Sequence, residues 1–443
     1  MTEYGFNFDY TKTMMMKMFL AVPDKDGGSN VKINFERALD IIKKTDALTL
    51  GVPKIIYLVG WQYNGHDNRY PDLFEVNKAL KRPDDATALD SLVWLMEESK
   101  RFNTTVSFHV NFTDAYTDSE QFTDYLSAGA LIRKPDGTPD PIEEYNDKEC
   151  YKISFYEEWN SGLFRRRFER FLASIPAAQT GTIHVDNFQC YYNNAPEVDI
   201  ADAQKARSSI IDYVRSRGLD ITSELAYREG PDGRDNYNKY CRTHSVYPID
   251  IIGRIPAVWW ITNVRDEEYL AYPPQQLTGG MPGDPAFLYT FYGNIQGEHL
   301  WGAEGDAWIA PFLREFCMIQ LPYFYLCDHK REGIENDESG KTAFFSDGII
   351  SRSADETISK NGITLKDAHS VLLPLTIRPD IYVFYSDNGF NGSREITECT
   401  FTRAKVSKIT SGGIEPLYET TITDGRISLR ANARDALLIE KIV

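Results

Sequence analysis

From residue 16 to about residue 225, short apolar runs alternate with longer segments whose apolar positions recur at helical spacing. That is the sequence form of repeated βα units around a parallel sheet. Met16 to Val22 reads as a strand, and a helix is expected from Asn34, with Phe35, Ala38, Leu39 and Ile42 on one face. Lys54 to Gly60 reads as the next strand. A helix with Leu89, Leu92, Val93 and Met96 turned inward follows, and then the strand Thr105 to Val110. Ser154 with Glu157 three residues on forms a capping box, which predicts one helix through Phe155, Trp159, Leu163, Phe168, Phe171 and Ile175. Thr182 to Asp186 is a further strand, Asp199 to Arg217 a helix ended by Gly218, and Leu219 to Glu224 another strand.

Beyond this point the alternation weakens. Ile255 to Ile261 and Ala286 to Tyr292 are strand candidates and Trp308 to Leu321 a helix. From about residue 343 short alternating runs are divided by turn signals at Asp387-Asn388-Gly389, Ser411-Gly412-Gly413 and Asp424-Gly425. The expected architecture is α/β: a (β/α)8 TIM-like barrel over residues 1–342 and a C-terminal antiparallel β-sandwich module over 343–443.

Composition narrows the function classes. Of 443 residues 42% are hydrophobic and 26% charged, and no apolar run reaches membrane-spanning length, so the sequence describes a soluble globular chain. Lys and Arg number 48 against 65 Asp and Glu, and a net charge of −17 disfavours nucleic acid and anionic membranes as partners. Met14 to Met16 follow Glu3 and Asp9, with no cationic start and no small-residue cleavage site after them, so they read as a buried strand and not as a secretion signal. Six cysteines without CxxC spacing argue against a zinc site or a disulfide framework, and a cytoplasmic location is expected. The sequons at Asn103, Asn111 and Asn391 are then expected to carry no glycan.

Parallel βα folds place their chemistry at the carboxyl ends of the strands. Asp186 closes Thr-Ile-His-Val-Asp and Glu224 closes Leu-Asp-Ile-Thr-Ser-Glu, on consecutive strands of one βαβ unit. Neighbouring strands lie about 4.8 Å apart. Two carboxyls at that spacing suit a retaining glycosidase, whose acids sit roughly 5–5.5 Å apart, better than an inverting one, which needs room for a water. Trp61, His66 and Asp67 follow one strand and His109 and Asn111 close another, a polar cluster of the same character. Trp259 and Trp260, in a chain that is 13% aromatic, suit stacking on sugar faces.

The segment Gly60-Trp61-Gln62-Tyr63-Asn64-Gly65-His66-Asp67, with Phe108-His109-Val110-Asn111, His184-Val185-Asp186 and Thr222-Ser223-Glu224, resembles the catalytic barrel of glycoside hydrolase family 101, the endo-α-N-acetylgalactosaminidases. The resemblance covers roughly residues 50 to 230. It implies that Asp186, on the fourth strand, is the nucleophile and Glu224, on the fifth, the acid/base. It also implies that Asp67 holds sugar hydroxyls with His66 beside it, that His109 and Asn111 line the same subsite, and that Asn294, Glu298 and His299 of Gly-Asn-Ile-Gln-Gly-Glu-His belong to the same cleft.

The expectation is therefore a retaining α-glycosidase, cytoplasmic, needing neither metal nor organic cofactor, and acting on α-linked N-acetylgalactosamine of glycopeptides or short O-glycans. Secreted family members are longer, with signal peptides and extra modules, and this chain shows neither. An amylase-like or α-galactosidase-like enzyme is the alternative, although amylases expect Arg two residues before the nucleophile, where His184 stands. A non-catalytic carbohydrate-binding barrel is the third reading, and carboxylates at both strand ends argue against it.

Overall fold

A computed structural model describes residues 6–9, 12–186, 188, 190–191, 193–223, 241–242, 304–329, 331–337, 340–352, 354–378 and 380–442. Five parallel strands make its central sheet: β1 (Met14–Phe19), β2 (Lys54–Val59), β3 (Thr104–Asn111), β4 (Thr182–Asp186) and β5 (Asp220–Ser223). They lie side by side in chain order, as successive βα crossovers dictate. The longer helices between them are α1 (Phe35–Leu48), α2 (Ala88–Ser99), α3 (Leu163–Ser174) and α4 (Ile200–Ser216). α1 and α4 begin where expected, and the side chains of the residues before them cap them: Asn34 accepts from Arg37 N, and Asp199 from Ala201 N. Gly218, at φ +81°, follows the end of α4.

Three details of the helices differ from the expectation. Leu89 and Val93 are 37% and 41% exposed; Leu92 and Met96 are buried as expected, but with Ala88 and Leu95, so the buried stripe of α2 is rotated from the expected one. Ser154 does cap a helix, but that helix stops at Ser161. Gly162 at φ +78° turns the chain before α3 begins, because an αL glycine ends a helix whatever the apolar spacing beyond it. The helix expected at 308–321 runs as Ile309–Glu315, a π-turn at Phe316–Gln320, and Leu321–Cys327. The strand candidates at 255–261 and 286–292 lie outside the described residues.

The C-terminal sheet has 12 antiparallel strands and starts at Arg331–Asp337, which pairs with Gly340–Phe345. The expected division at 342/343 falls inside that second strand; Arg-Glu-Gly-Ile-Glu-Asn-Asp is too polar to announce a strand by alternation. At its centre, Ile381–Ser386 turns alternate side chains to two cores. Val383 and Tyr385 join the core that contains the barrel strands and the helical segment 309–327, whereas Tyr382 and Phe384 join a second core with Val406, Ile427, Leu429 and Ile439. Arg314 clamps Asp387 at 3.0 Å across the same contact. Among the described residues, no helix is long and apolar enough to cross a membrane.

Candidate functional site

The carboxyl ends of β2, β3 and β4 bring the expected residues together. Ser107, His109 and Asn111 alternate with Val106, Phe108 and Val110 along β3, and His109 and Asn111 sit in register with His184 and Asp186 on β4. His109 Nε2 is 3.9 Å from Asp186 Oδ1, and the His109 ring stacks on His184 at 5.5 Å between centroids. Burial, reinforced by the charge of Lys17, holds both imidazoles well below their ordinary pKa, so both are neutral at neutral pH. His184 Nδ1 lies 2.8 Å from Thr222 Oγ1 of β5, and Thr222 Oγ1 donates onward to Ile183 O, which assigns the His184 proton to Nδ1.

Two glycines bring the loop after β2 over this end of the sheet. Gly60, at φ +74°, passes so close to the segment just after β1 that a Cβ would lie 2.0 Å from Ala21 O; Gly65, at φ +131°, would meet Val22 Cα at 2.6 Å. His66 N then donates to Ala21 O at 2.9 Å. His66 Nε2 comes to 3.4 Å from Asp67 Oδ2, with His66 packed edge-on against His109 at 5.4 Å. Asn146 Nδ2 holds Asp67 O at 3.0 Å.

Asp186 is a strongly perturbed carboxyl. Burial pushes its pKa up to about 6, with Asp67 and Asp114 adding to the rise, while Lys17 and His66 oppose it. Its side chain is nonetheless 18% exposed, so it is open to a ligand. Lys17, itself 1% exposed in the middle of β1, was not singled out from the sequence; a lone cation inside Met-Met-Met-Lys-Met-Phe was the available signal.

Two expected ligand contacts serve the scaffold. Trp61 is fully buried, packed edge-on with Phe108 and tilted against Phe171, and its indole N–H donates to His109 O at 3.0 Å, so neither ring face is available to a sugar. Asn111 spends its amide on the turn that follows it: Oδ1 accepts from Thr113 N, Thr113 Oγ1 and Asp114 N, and Nδ2 donates to Asp114 Oδ2. A short amide at a strand end finds its own turn first. Asp114 is in turn held by buried Lys152 at 2.7 Å. Glu224, Trp260, Asn294 and Glu298 lie outside the described residues. β5 is described as far as Ser223, the chain neighbour of Glu224, and Ser223 pairs with Val185, the chain neighbour of Asp186.

A parallel βα sheet with its titratable side chains gathered at the strands' carboxyl ends defines a barrel of the kind that carries its site on that face. The family profile described as endo-alpha-N-acetylgalactosaminidase matches residues 18–243, just over half of the chain, and the chain belongs to that family, glycoside hydrolase 101. Among solved structures it is similar to the alpha-N-acetylgalactosaminidase NagBb from Bifidobacterium bifidum in complex with GalNAc, at 12% identity and a TM-score of 0.52, covering 80% of this chain and 58% of that one. The same enzyme in complex with Gal-NHAc-DNJ gives 12% identity and 0.52, with 79% and 57% covered. An alpha-amylase from Lactobacillus plantarum matches at 11% identity over 98% of this chain and 99% of that one, with a TM-score of 0.47 that adds nothing to the assignment. The chain thus spans well under two thirds of NagBb's length. The likeness to NagBb is one of fold: a (β/α)8 TIM-like barrel with a C-terminal antiparallel β-sandwich module.

Proposed function

We propose that the protein is a retaining α-glycoside hydrolase acting on α-linked N-acetylgalactosamine of glycopeptides or short O-glycans. The observation that carries this reading is Asp186: a carboxylate at the exit of the fourth strand, partly open, with its neighbour His109 neutral and the His66–Asp67 pair beside it. Family membership and the likeness to NagBb support the choice of sugar.

In this reading an Asp186 oxygen attacks the anomeric carbon as the glycosidic C–O bond breaks, and Glu224 gives its proton to the departing oxygen. Glu224 then takes a proton from water, the water oxygen bonds to the anomeric carbon, and Asp186 is released. Asp67 accepts hydrogen bonds from sugar hydroxyls, bonds that gain strength as the ring acquires positive charge. His109 stands against Asp186 as an uncharged neighbour, and Trp61 acts through the His109 backbone. Trp260, Asn294 and Glu298 are assigned by the same reading to the walls of the cleft.

The test is to follow by NMR the anomer first released from an aryl α-N-acetylgalactosaminide. Release of the α-anomer is expected, and β-anomer first would exclude double displacement. Asp186→Asn should abolish turnover. Glu224→Gln should spare dinitrophenyl glycosides and respond to azide. In a panel varied at C2 and C4, preference for the gluco series would favour the amylase-like alternative.

A further inference from the structure

The donors around Asp186 offer a second kind of ligand a seat. One nitrogen of His66 and one carboxylate oxygen each from Asp67 and Asp186 lie within 4.8 Å of one another. His66 Nε2 and Asp67 Oδ2 are 3.4 Å apart. A tetrahedron of N and O donors about 2.0–2.1 Å from zinc has an edge of roughly 3.3 Å, so this pair is already spaced to share one ion. A separate observation points the same way. The His109 side chain is 1% exposed, and its Nε2 faces Asp186 Oδ1 at 3.9 Å, beyond hydrogen-bond distance and within the reach of a shared ion. A buried imidazole so turned is a fourth donor within reach. The side chains of His66, Asp67 and Asp186 are 17%, 19% and 18% exposed, which leaves an ion a way in.

We propose that His66, Asp67 and Asp186, with His109 as the fourth donor, form a divalent transition-metal site suited to zinc. Mixed imidazole and carboxylate donors favour zinc over magnesium or calcium, which prefer oxygen alone. An ion held there occupies the carboxylate assigned to attack on the sugar, so zinc excludes the glycoside. Binding rests on the donors alone; exclusion rests also on the function proposed above.

Chelator-washed full-length protein titrated with zinc chloride in a calorimeter tests the site. One zinc per chain is expected, and no magnesium. His66→Ala and Asp67→Asn, each checked for folding by circular dichroism so that either can carry the test, should weaken binding by at least about tenfold. His329→Ala removes the surface pair His329–Asp347 (3.0 Å) and should leave binding unchanged. No zinc uptake, uptake untouched by both site variants, or uptake lost with His329 overturns the site. Zinc should also raise KM for an aryl α-glycoside without lowering kcat. Turnover indifferent to bound zinc overturns the exclusion, whereas zinc bound by a protein that turns over no glycoside keeps the site and removes the function.

Discussion

His184 Nδ1 and Thr222 Oγ1 meet at 2.8 Å across the seam between β4 and β5, and both residues are fully buried. His184 stands two residues before Asp186 and Thr222 two before Glu224. Side chains two apart on a strand share a face, so the bond sets the height of one strand end against the other. Thr222→Val keeps the shape and strands the imidazole N–H, at a cost of about 1–3 kcal/mol. We expect kcat to fall roughly tenfold with KM nearly unchanged, and Thr222→Ser to restore it; steady-state kinetics with urea melts of the three proteins decide.

Asp186→Asn should make the protein more stable at neutral pH while abolishing turnover. A carboxyl whose pKa rises from 3.8 to about 6 on folding is protonated more readily in the folded chain, so its ionised form works against the fold. That penalty, on the order of 2–3 kcal/mol, is complete above pH 6 and fades as pH falls toward the unfolded value. Urea unfolding at pH 8 and pH 4.5 should show a gap between variant and wild type that narrows to about a third at the lower pH. A gap that ignores pH would contradict the raised pKa.

Activity should also follow this group. A nucleophile must be ionised, so kcat/KM is expected to fall on the acid side with an apparent pKa near 6. Lys17 pulls that value down, so Lys17→Met should move the acid limb to higher pH. A limb that stays put would remove Lys17 from the electrostatics of the site.

Trp61 separates scaffold from ligand contact. Trp61→Phe leaves His109 O without its 3.0 Å donor, so thermal unfolding should come earlier, by the equivalent of about 1–3 kcal/mol. KM should hold. A large rise in KM with unchanged stability would return Trp61 to the sugar.

Gly60→Ala forces a methyl to 2.0 Å from Ala21 O and should displace the loop that carries His66 and Asp67, lowering both stability and kcat/KM. Gly218→Ala is the control: its φ is also positive, but nothing lies within 4 Å of the added carbon, so the expected loss is about 1 kcal/mol of stability and no activity.

What could be read along the chain was whatever local chemistry dictates. The strand Thr182–Asp186, the helix starts at Asn34 and Asp199 and the Asp424-Gly425 hairpin turn stand where apolar runs and turn residues put them. So does the gathering of His66, Asp67, His109 and Asp186, because strand ends in consecutive βα units must converge. What could not be read was set by partners distant in sequence. Whether Trp61 turned to solvent or to Phe171, whether Asn111 would reach a ligand or its own turn, and that Lys17 would stand behind Asp186 all depend on neighbours that periodicity does not name. Gly162 was visible in the sequence, but the apolar spacing on both sides of it outvoted a single residue.

The strand Ile381–Ser386, with one row of side chains in each core, bears on how this architecture can be inherited. A module joined to a barrel by a tether can be traded between lineages by recombination at the tether. Here the barrel's apolar flank is finished by Val383, Tyr385 and Leu438 of the module itself, and a transplanted sandwich would have to arrive with a matching row. The two apolar rows thus constrain each other, because in a close-packed contact a change of volume on one side has to be met on the other.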